Sequence, residues 1–226
     1  MLQGPVWNRI LLFALPVAAT GMLEQLFNAS DIAIVGSFAQ TGRTEAVAAV
    51  GANSPIVGLL VNFFVGIALG ANVVIAQAVG QRKPKTIEQA VQTSLLLAIA
   101  CGLATTLIGE AVIGTGLSLM NIPANVYPHA LQYMRIYLAG MPAILLYNFE
   151  ASVFRSIGQT KIPLAALAVS GFINVLLNLF FVIVVHLSIA GVAIATVISN
   201  IISSLILFVI LLKTSSPVRL SLHNLR

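Results

Sequence analysis

Six long apolar segments, separated by short polar stretches, dominate this chain of 226 residues. Crossing the hydrocarbon core of a bilayer takes about 20 apolar residues in a helix, because each helical residue adds about 1.5 Å. Every segment reaches that length, so the pattern predicts an all-α integral membrane protein. We predict that residues 1–213 form one bundle of six transmembrane helices. The predicted spans cover about residues 10–36, 46–80, 88–113, 127–156, 162–186 and 189–212.

The composition excludes several other classes of protein. Apolar residues make up 59% of the chain and charged residues only 8%, whereas about 25% of a soluble domain is charged. The net charge of +5 does not indicate a nucleic-acid partner, because the Lys and Arg residues are scattered between the apolar segments. No phosphate-binding loop, serine-hydrolase elbow or zinc-protease string occurs in the sequence, so we expect no enzyme and no resident cofactor.

The loop charges predict how the chain is oriented. With six spans both termini lie on one side, and that side carries nine of the eleven Lys and Arg residues. Only Arg43 and Arg135 fall on the other side. Because cytoplasmic loops are enriched in Lys and Arg, we predict a multi-pass plasma membrane protein with both termini in the cytoplasm. Residues 214–226 are then a cytoplasmic tail, or a truncated loop that leads to a second bundle.

Two acids and an amide share one face of the first segment. Glu24, Asn28 and Asp31 are spaced i, i+4 and i+7, and Gln25 lies beside them. A charged side chain at mid-bilayer costs at least about 2.5–3.5 kcal/mol, so this face must turn to a bundle interior or a watery cavity. An acid placed there can carry a proton. The alternative is a static polar cluster between helices. Pro16, upstream, lacks a backbone donor and makes the helix bendable.

Uncharged oxygen donors recur in the last two segments. Asn174 and Asn178 are spaced i and i+4, and so are Thr196 and Asn200. With an acid from the first segment, such groups form either a set of hard ligands for Na⁺ or a hydrogen-bond network around a protonated carboxyl. Hydrogen bonds between helices explain the spacing equally well. Glu150 lies near a segment end, where we predict that it is interfacial.

Other membrane proteins have the same composition. A passive channel and a non-transporting subunit of a membrane assembly also need six apolar helices. Six-span water and solute channels carry two Asn-Pro-Ala motifs, which the nearest strings here, "ANSP" at 52–55 and "NIPAN" at 121–125, do not match. The acids beside a mid-helix proline favour a transporter, because a passive pore does not need a proton carrier.

Several longer strings resemble one known family in order and spacing. They are "FALPVAATGMLEQLFNASDIAIVGSF" at 13–38, "AVAAVGANSP" at 46–55, "GIALGANVVIAQAVGQRK" at 66–83, "FRSIGQTKIP" at 154–163, "NVLLN" at 174–178 and "IAGVAIATVIS" at 189–199. Together they resemble the first half of the multidrug and toxic compound extrusion (MATE) transporters. The resemblance implies half of a twelve-helix, two-bundle protein that exports drug-like compounds as Na⁺ or H⁺ enters.

The resemblance also implies roles for particular residues. It puts the cation- or proton-coupling site at Asp31, Asn174, Asn178 and Thr196, the substrate cavity at Glu24, Gln25 and Asn28, and the hinge of the first helix at Pro16. Many family members carry Asp where this chain has Asn178, so one carboxylate fewer is present and H⁺ is favoured over Na⁺. The implied partners are the lipid bilayer, a small and often cationic organic substrate, and a second six-helix half or another copy of the chain.

A related architecture provides one more alternative. Flippases of lipid-linked oligosaccharides are similar in fold, but they would be expected to carry more cationic residues inside the cavity. In this sequence only Arg135 and Arg155 are near candidates for that position.

Overall fold

The computed structural model describes residues 6–39, 42–214 and 218, and these are almost entirely helical. The helices are α1 (Val6–Phe38), α2 (Arg43–Gly80), α3 (Pro84–Leu119), α4 (Tyr127–Ala139), α5 (Met141–Ser156), α6 (Lys161–Leu179), a π-helical turn (Phe180–Val184) and α7 (Ser188–Lys213). Of the predicted tail, 214–226, only Thr214 and Val218 are described, so that prediction lies largely outside the described residues.

The described helices provide six candidate membrane spans when α4 and α5 are taken together. Five spans are single stretches that are long and apolar enough to cross alone, and the sixth is the pair α4 and α5, bent by 52° at their junction. The predicted six-helix membrane fold is therefore confirmed. Most helices are longer than the apolar segments predicted from the sequence, because the residues that flank those segments are also helical. Thus α3 covers Pro84–Leu119, whereas its apolar segment is 88–113.

The bend in the fourth span has a local cause that segment length does not show. Pro142 stands in the first turn of α5, where it has no N–H to donate to the carbonyl of Leu138, four residues earlier. The hydroxyl of Thr106 on α3 donates to that carbonyl at 2.6 Å. Gly102 and Gly140 leave room for the bend, because a Cβ on either would lie 2.4 Å from Pro142 or Val197 respectively. The sequence prediction treats residues 127–156 as one uninterrupted span.

The helix α5 lies in the middle of the bundle. It packs against α2, α3 and α7, and α6 packs against both α1 and α7. Large side chains of α5 such as Phe149 and Phe154 are fully buried as a result. By contrast, only 6% of the apolar window of α1 is buried, against 33% for α6 and for α7. One side of α1 therefore faces away from the bundle.

Replacement of Gly102 by Ala should destabilise the bundle. The added methyl would overlap the backbone of Pro142, which cannot rotate away, and overpacking of this kind costs about 1–3 kcal/mol. The control is Gly116→Ala on the same helix, where a Cβ meets no atom within 4 Å. Thermal unfolding of the purified variants in detergent is the measurement. We expect a lower midpoint for Gly102→Ala alone, and equal midpoints would contradict this account of the bend.

Candidate functional site

A cavity of about 450 Å³ opens between the helices of the bundle. Residues of α1, α2, α4, α5, α6 and α7 line it, and within the described ranges α3 contributes none. Its deeper wall includes the buried Asp31 and Asn174, whereas Glu24, Asn28 and Asn62 on its α1 and α2 side are exposed. The cavity thus has a buried polar wall and an open polar rim.

The carboxyl of Asp31 is the centre of the buried wall. Only 4% of its surface is exposed, although it sits on a membrane-spanning helix. The side-chain amide of Asn178 donates to Oδ1 at 2.6 Å, and the hydroxyl of Thr196 lies 3.2 Å from Oδ2. Both oxygens therefore have a polar partner, one on α6 and one on α7. These contacts tie three helices together at one acid.

The hydroxyl of Thr196 has two polar contacts but only one hydrogen to donate. It lies 2.9 Å from the carbonyl of Val192, which can only accept, and 3.2 Å from Oδ2 of Asp31. If the hydroxyl donates its hydrogen to the Val192 carbonyl, it has none left for Asp31. The contact with Oδ2 is then a hydrogen bond only when Oδ2 is protonated and donates to the hydroxyl oxygen. The geometry therefore accommodates a protonated Asp31.

Two asparagines extend this network away from the acid. Asn178 is fully buried and uses its second amide hydrogen to reach Oδ1 of Asn174 at 3.1 Å. Asn174 in turn lies 3.4 Å from the hydroxyl of Ser199 on α7. The side-chain oxygen of Asn178 has no hydrogen-bond partner among the described residues. In this orientation Asn178 presents hydrogens to Asp31 rather than an oxygen.

The structure brings most of the predicted site residues together. Asp31, Asn178, Asn174 and Thr196 form one hydrogen-bonded group, in which Asn178 sits behind the cavity wall rather than on its surface. The three predicted cavity residues, Glu24, Gln25 and Asn28, all line the cavity. Their roles in transport stay predictions.

Pro16 lies apart from this group. It is two helical turns before Glu24 and does not line the cavity, and α1 continues through it without interruption. The hydroxyl of Thr20 donates to the carbonyl of Pro16 at 2.8 Å, which helps to hold the helix in its present form. The proposed hinge therefore stays a prediction.

Three tyrosines line the cavity and are absent from the sequence-based assignment. Tyr133 and Tyr137 on α4 have stacked rings with centroids 6.1 Å apart, and Tyr147 on α5 lines the same cavity. Aromatic faces of this kind attract organic cations. A signal was present, because all four tyrosines of the chain fall within residues 127–156. Spacing alone, however, does not distinguish a cavity wall from a lipid-facing aromatic belt.

The prediction that Glu150 is interfacial is wrong. Its side chain is fully buried and accepts a hydrogen bond from Ser204 at 3.0 Å. The reason is the central position of α5, which hydropathy along the chain does not reveal. Glu110, by comparison, is partly exposed and pairs with Arg135 at 3.4 Å, an exposed ion pair that contributes little stability.

Comparison with known proteins identifies the family. The model of the MatE family matches residues 16–180, which is well over half of the chain. The chain belongs to the MATE family. This match includes all of the helices from Pro16 of α1 to the end of α6, and therefore most of the cavity and three of the four members of the Asp31 group.

Individual relatives of the MATE chain agree with this assignment. It is 32% identical over 218 residues to "Probable multidrug resistance protein YoeA" of Bacillus subtilis, a match that covers 95% of this chain and 46% of that protein. It is 23% identical to "Probable multidrug resistance protein NorM" of Thermotoga maritima, over 91% of this chain and 44% of that protein. The chain therefore spans about half the length of the curated relatives it matches.

Two solved structures have the same fold over this chain. The chain superimposes on the structure titled "Crystal structure of MATE in the bent conformation" with a TM-score of 0.90 and 23% identity, over 99% of this chain and 49% of that one. The structure titled "Crystal structure of MATE in the straight conformation" gives a TM-score of 0.86 and 24% identity, over 98% and 49%. The MATE chain thus corresponds to half of these folds.

Proposed function

We propose that this MATE chain is one six-helix half of a cation-coupled antiporter that exports small organic compounds, often cationic. The observation that carries the proposal is Asp31, a buried acid on a membrane-spanning helix that forms part of a cavity wall. Intramembrane acids are costly to keep and are typical of ion and proton pathways. The relatives named as multidrug resistance proteins support export of drug-like compounds as the activity.

The arrangement supports a simple exchange cycle. Exposed Glu24 at the rim attracts a cationic compound, and the tyrosine faces hold its apolar part. Proton binding at Asp31 changes its hydrogen bonds to Asn178 and Thr196, and so changes the relative stability of two arrangements of α1, α6 and α7. A proton and a substrate that favour different arrangements exclude each other, which couples their movements in opposite directions. Pro16 is the proposed bending point of α1.

We propose H⁺ rather than Na⁺ as the coupling ion. Na⁺ needs several oxygen ligands, but Asn178 turns its amide nitrogen towards Asp31 at 2.6 Å. The hydroxyl of Thr196 has its single hydrogen within reach of the Val192 carbonyl, which favours a proton on Asp31 itself. A change of both amide orientation and hydroxyl direction would be needed to present oxygens to Na⁺.

The cavity lining argues against the flippase alternative. No Lys or Arg lines the cavity in the described part of the chain, and Arg135 pairs with Glu110 outside it. An anionic lipid-linked head group would find two acids, Glu24 and Asp31, in the lining, whereas Arg155, whose charge acts on Glu24, lies outside it. The same two acids suit a cationic substrate.

We further propose that a second six-helix bundle covers the open side of the cavity. Glu24, Gln25, Asn28 and Asn62 are exposed there, and lipid cannot satisfy such groups. Alternating access in two-bundle transporters requires one bundle to move against another around a central site. The covering bundle is either a separate homologous half or another copy of this chain.

We propose the plasma membrane as the location, with both termini in the cytoplasm. A single cysteine at Lys83 or Lys161 should then resist an impermeant maleimide in intact cells, whereas one at Arg43 should react. All three positions are exposed, so access depends on the side of the membrane alone. The native Cys101 is first replaced by Ala, and permeabilised cells, in which all three should react, are the control. Labelling at Lys83 with protection at Arg43 would reverse the orientation.

The transport proposal is tested in sealed vesicles. A pH gradient should drive a fluorescent cationic dye out of vesicles that contain the wild-type assembly, and should not do so with Asp31→Asn. Loss of the dye at the same rate with both proteins would refute the proposal.

A further inference from the structure

A second acid lies inside the bundle, outside the cavity lining. Glu150 on α5 is fully buried, and its only hydrogen bond among the described residues comes from Ser204 on α7, at 3.0 Å to Oε2. Its other oxygen, Oε1, has no partner there. The transport scheme built on Asp31 does not use this group.

No described cation neutralises Glu150. The helices that pack against α5 are α2, α3, α4, α6 and α7, and none of their described charged groups forms a salt bridge or a hydrogen bond with Glu150. On α5 itself, the charge of Arg155 acts on Glu24 and Tyr147. The other charged or titratable groups on these helices are Arg43, Glu45, Lys85, Glu88, Cys101, Glu110, Tyr127, His129, Tyr133, Arg135, Tyr137, Lys161 and Lys213.

These surroundings determine the protonation state. An ionised carboxylate that is removed from water pays a large desolvation penalty, which the single hydrogen bond from neutral Ser204 does not offset. A protonated carboxyl needs far less and can still accept the hydrogen bond from Ser204. Glu150 therefore carries a proton in this arrangement of the helices.

We propose that Glu150 is a second proton-binding site, which releases and rebinds its proton during the transport cycle. The inference rests on the proposed antiport function and adds a second titrating group to it. In the release step the O–H bond of Glu150 breaks and the proton passes to water, which leaves a carboxylate held by Ser204. Rebinding is the reverse step, and no other bond changes.

The cavity provides a route to Glu150 along two helices. Tyr147, one turn before Glu150 on α5, lines the cavity, and its buried hydroxyl has no hydrogen-bond partner among the described residues. On α7, Ser203 lines the cavity while the adjacent Ser204 contacts Glu150. A small separation of α5 from α7 would therefore connect Glu150 to cavity water.

The two acids also lie at different depths in the bundle. Asp31 contacts Thr196 and Glu150 contacts Ser204, eight residues further along α7. That separation corresponds to about 12 Å along the helix axis. The face of α7 between them is polar, with Ser199, Asn200 and Ser203 all lining the cavity. Such a pair lets one acid exchange protons from each side of the membrane.

Infrared spectroscopy tests the protonation directly and needs no transport. The purified chain is labelled with ¹³C at its Glu carboxyls, so that the C=O band of a protonated Glu is separated from that of Asp31. The spectrum is recorded from acid to alkaline pH in liposomes. All labelled Glu carboxyls give this band at acid pH, and those in water lose it near the ordinary Glu pKa of about 4.3. We expect one labelled component that persists to higher pH, then disappears, and is missing in Glu150→Gln. Glu110→Gln, at an exposed ion pair, should leave it unchanged.

A second variant covers the case in which Glu150→Gln does not fold. Ser204→Ala removes the one donor to the carboxylate, so the band should persist to higher pH than in the wild type. A band at Glu150 that stays constant wherever the chain is folded would show a permanent structural hydrogen bond, and absence of the band at every pH would show a permanent carboxylate. Either result overturns the proposal. A titrating band at Glu150 in a two-bundle assembly that does not transport would instead refute only the antiport function.

Discussion

Asp31→Asn is expected to abolish coupled export while leaving the protein folded and inserted. Asn keeps the shape of the side chain and its contacts with Asn178 and Thr196, but it has no titrating proton. Efflux of a fluorescent cationic dye from energised cells should fall to the rate of cells that lack the protein. The melting temperature of the purified variant should stay close to that of the wild type, because neutral Asn replaces an acid whose surroundings already suit the neutral form.

A matched control distinguishes loss of the carboxyl at Asp31 from loss of any one carboxyl in the chain. Glu110→Gln also removes one carboxylate from the chain, but at a partly exposed ion pair with Arg135. We expect at least nine-tenths of wild-type efflux from this variant. Efflux by Asp31→Asn that still responds to the pH gradient would end the assignment of Asp31 as the proton carrier.

The chain should not transport as a single six-helix unit. One bundle provides only one wall of an alternating-access cleft, and the rim formed by Glu24, Asn28 and Asn62 is exposed. Purified monomer in liposomes should give no substrate exchange above protein-free vesicles. Exchange should appear when a homologous second half is added, or when the chain assembles as a dimer.

The mass of the active species tests whether transport requires two bundles. Mass measurement in detergent, on the same preparation that is reconstituted, should give two bundles for every active sample. Replacement of the exposed rim residue Asn62 by Leu is a useful companion, since it should weaken the assembly without touching the Asp31 group. Robust exchange by a species of monomer mass would refute the account of the chain as half of a transporter.

The membrane fold was predictable because its signal is local. Each apolar segment is long enough to span a bilayer irrespective of its neighbours, and the spacing of Glu24, Asn28 and Asp31 places them on one face of any helix. That these residues lie near Thr196 was indicated by the resemblance to the family, because spacing alone left hydrogen bonds between helices equally open. The six predicted spans correspond to the helices of the structure, and the comparisons confirm the family.

The parts that could not be predicted depend on packing between distant segments. The bend before Pro142 is supported by Thr106, on another helix, which donates to a carbonyl that the proline has no N–H to reach. Glu150 is buried because α5 occupies the centre of the bundle, although by position in the sequence it resembles an interfacial acid. Asn178 reaches Asp31 from behind the cavity wall, a detail that spacing along α6 does not contain. None of these contacts is visible in a single apolar segment.

Gradient-driven exchange in liposomes tests the central claim most directly. The assembly that contains this chain is reconstituted without Na⁺, loaded with a cationic dye, and given an imposed pH gradient. We predict that dye leaves as protons enter, that the direction reverses with the gradient, and that Asp31→Asn shows neither effect. Exchange that follows a Na⁺ gradient and ignores pH, or pH-driven exchange that survives in Asp31→Asn, would contradict proton coupling at Asp31.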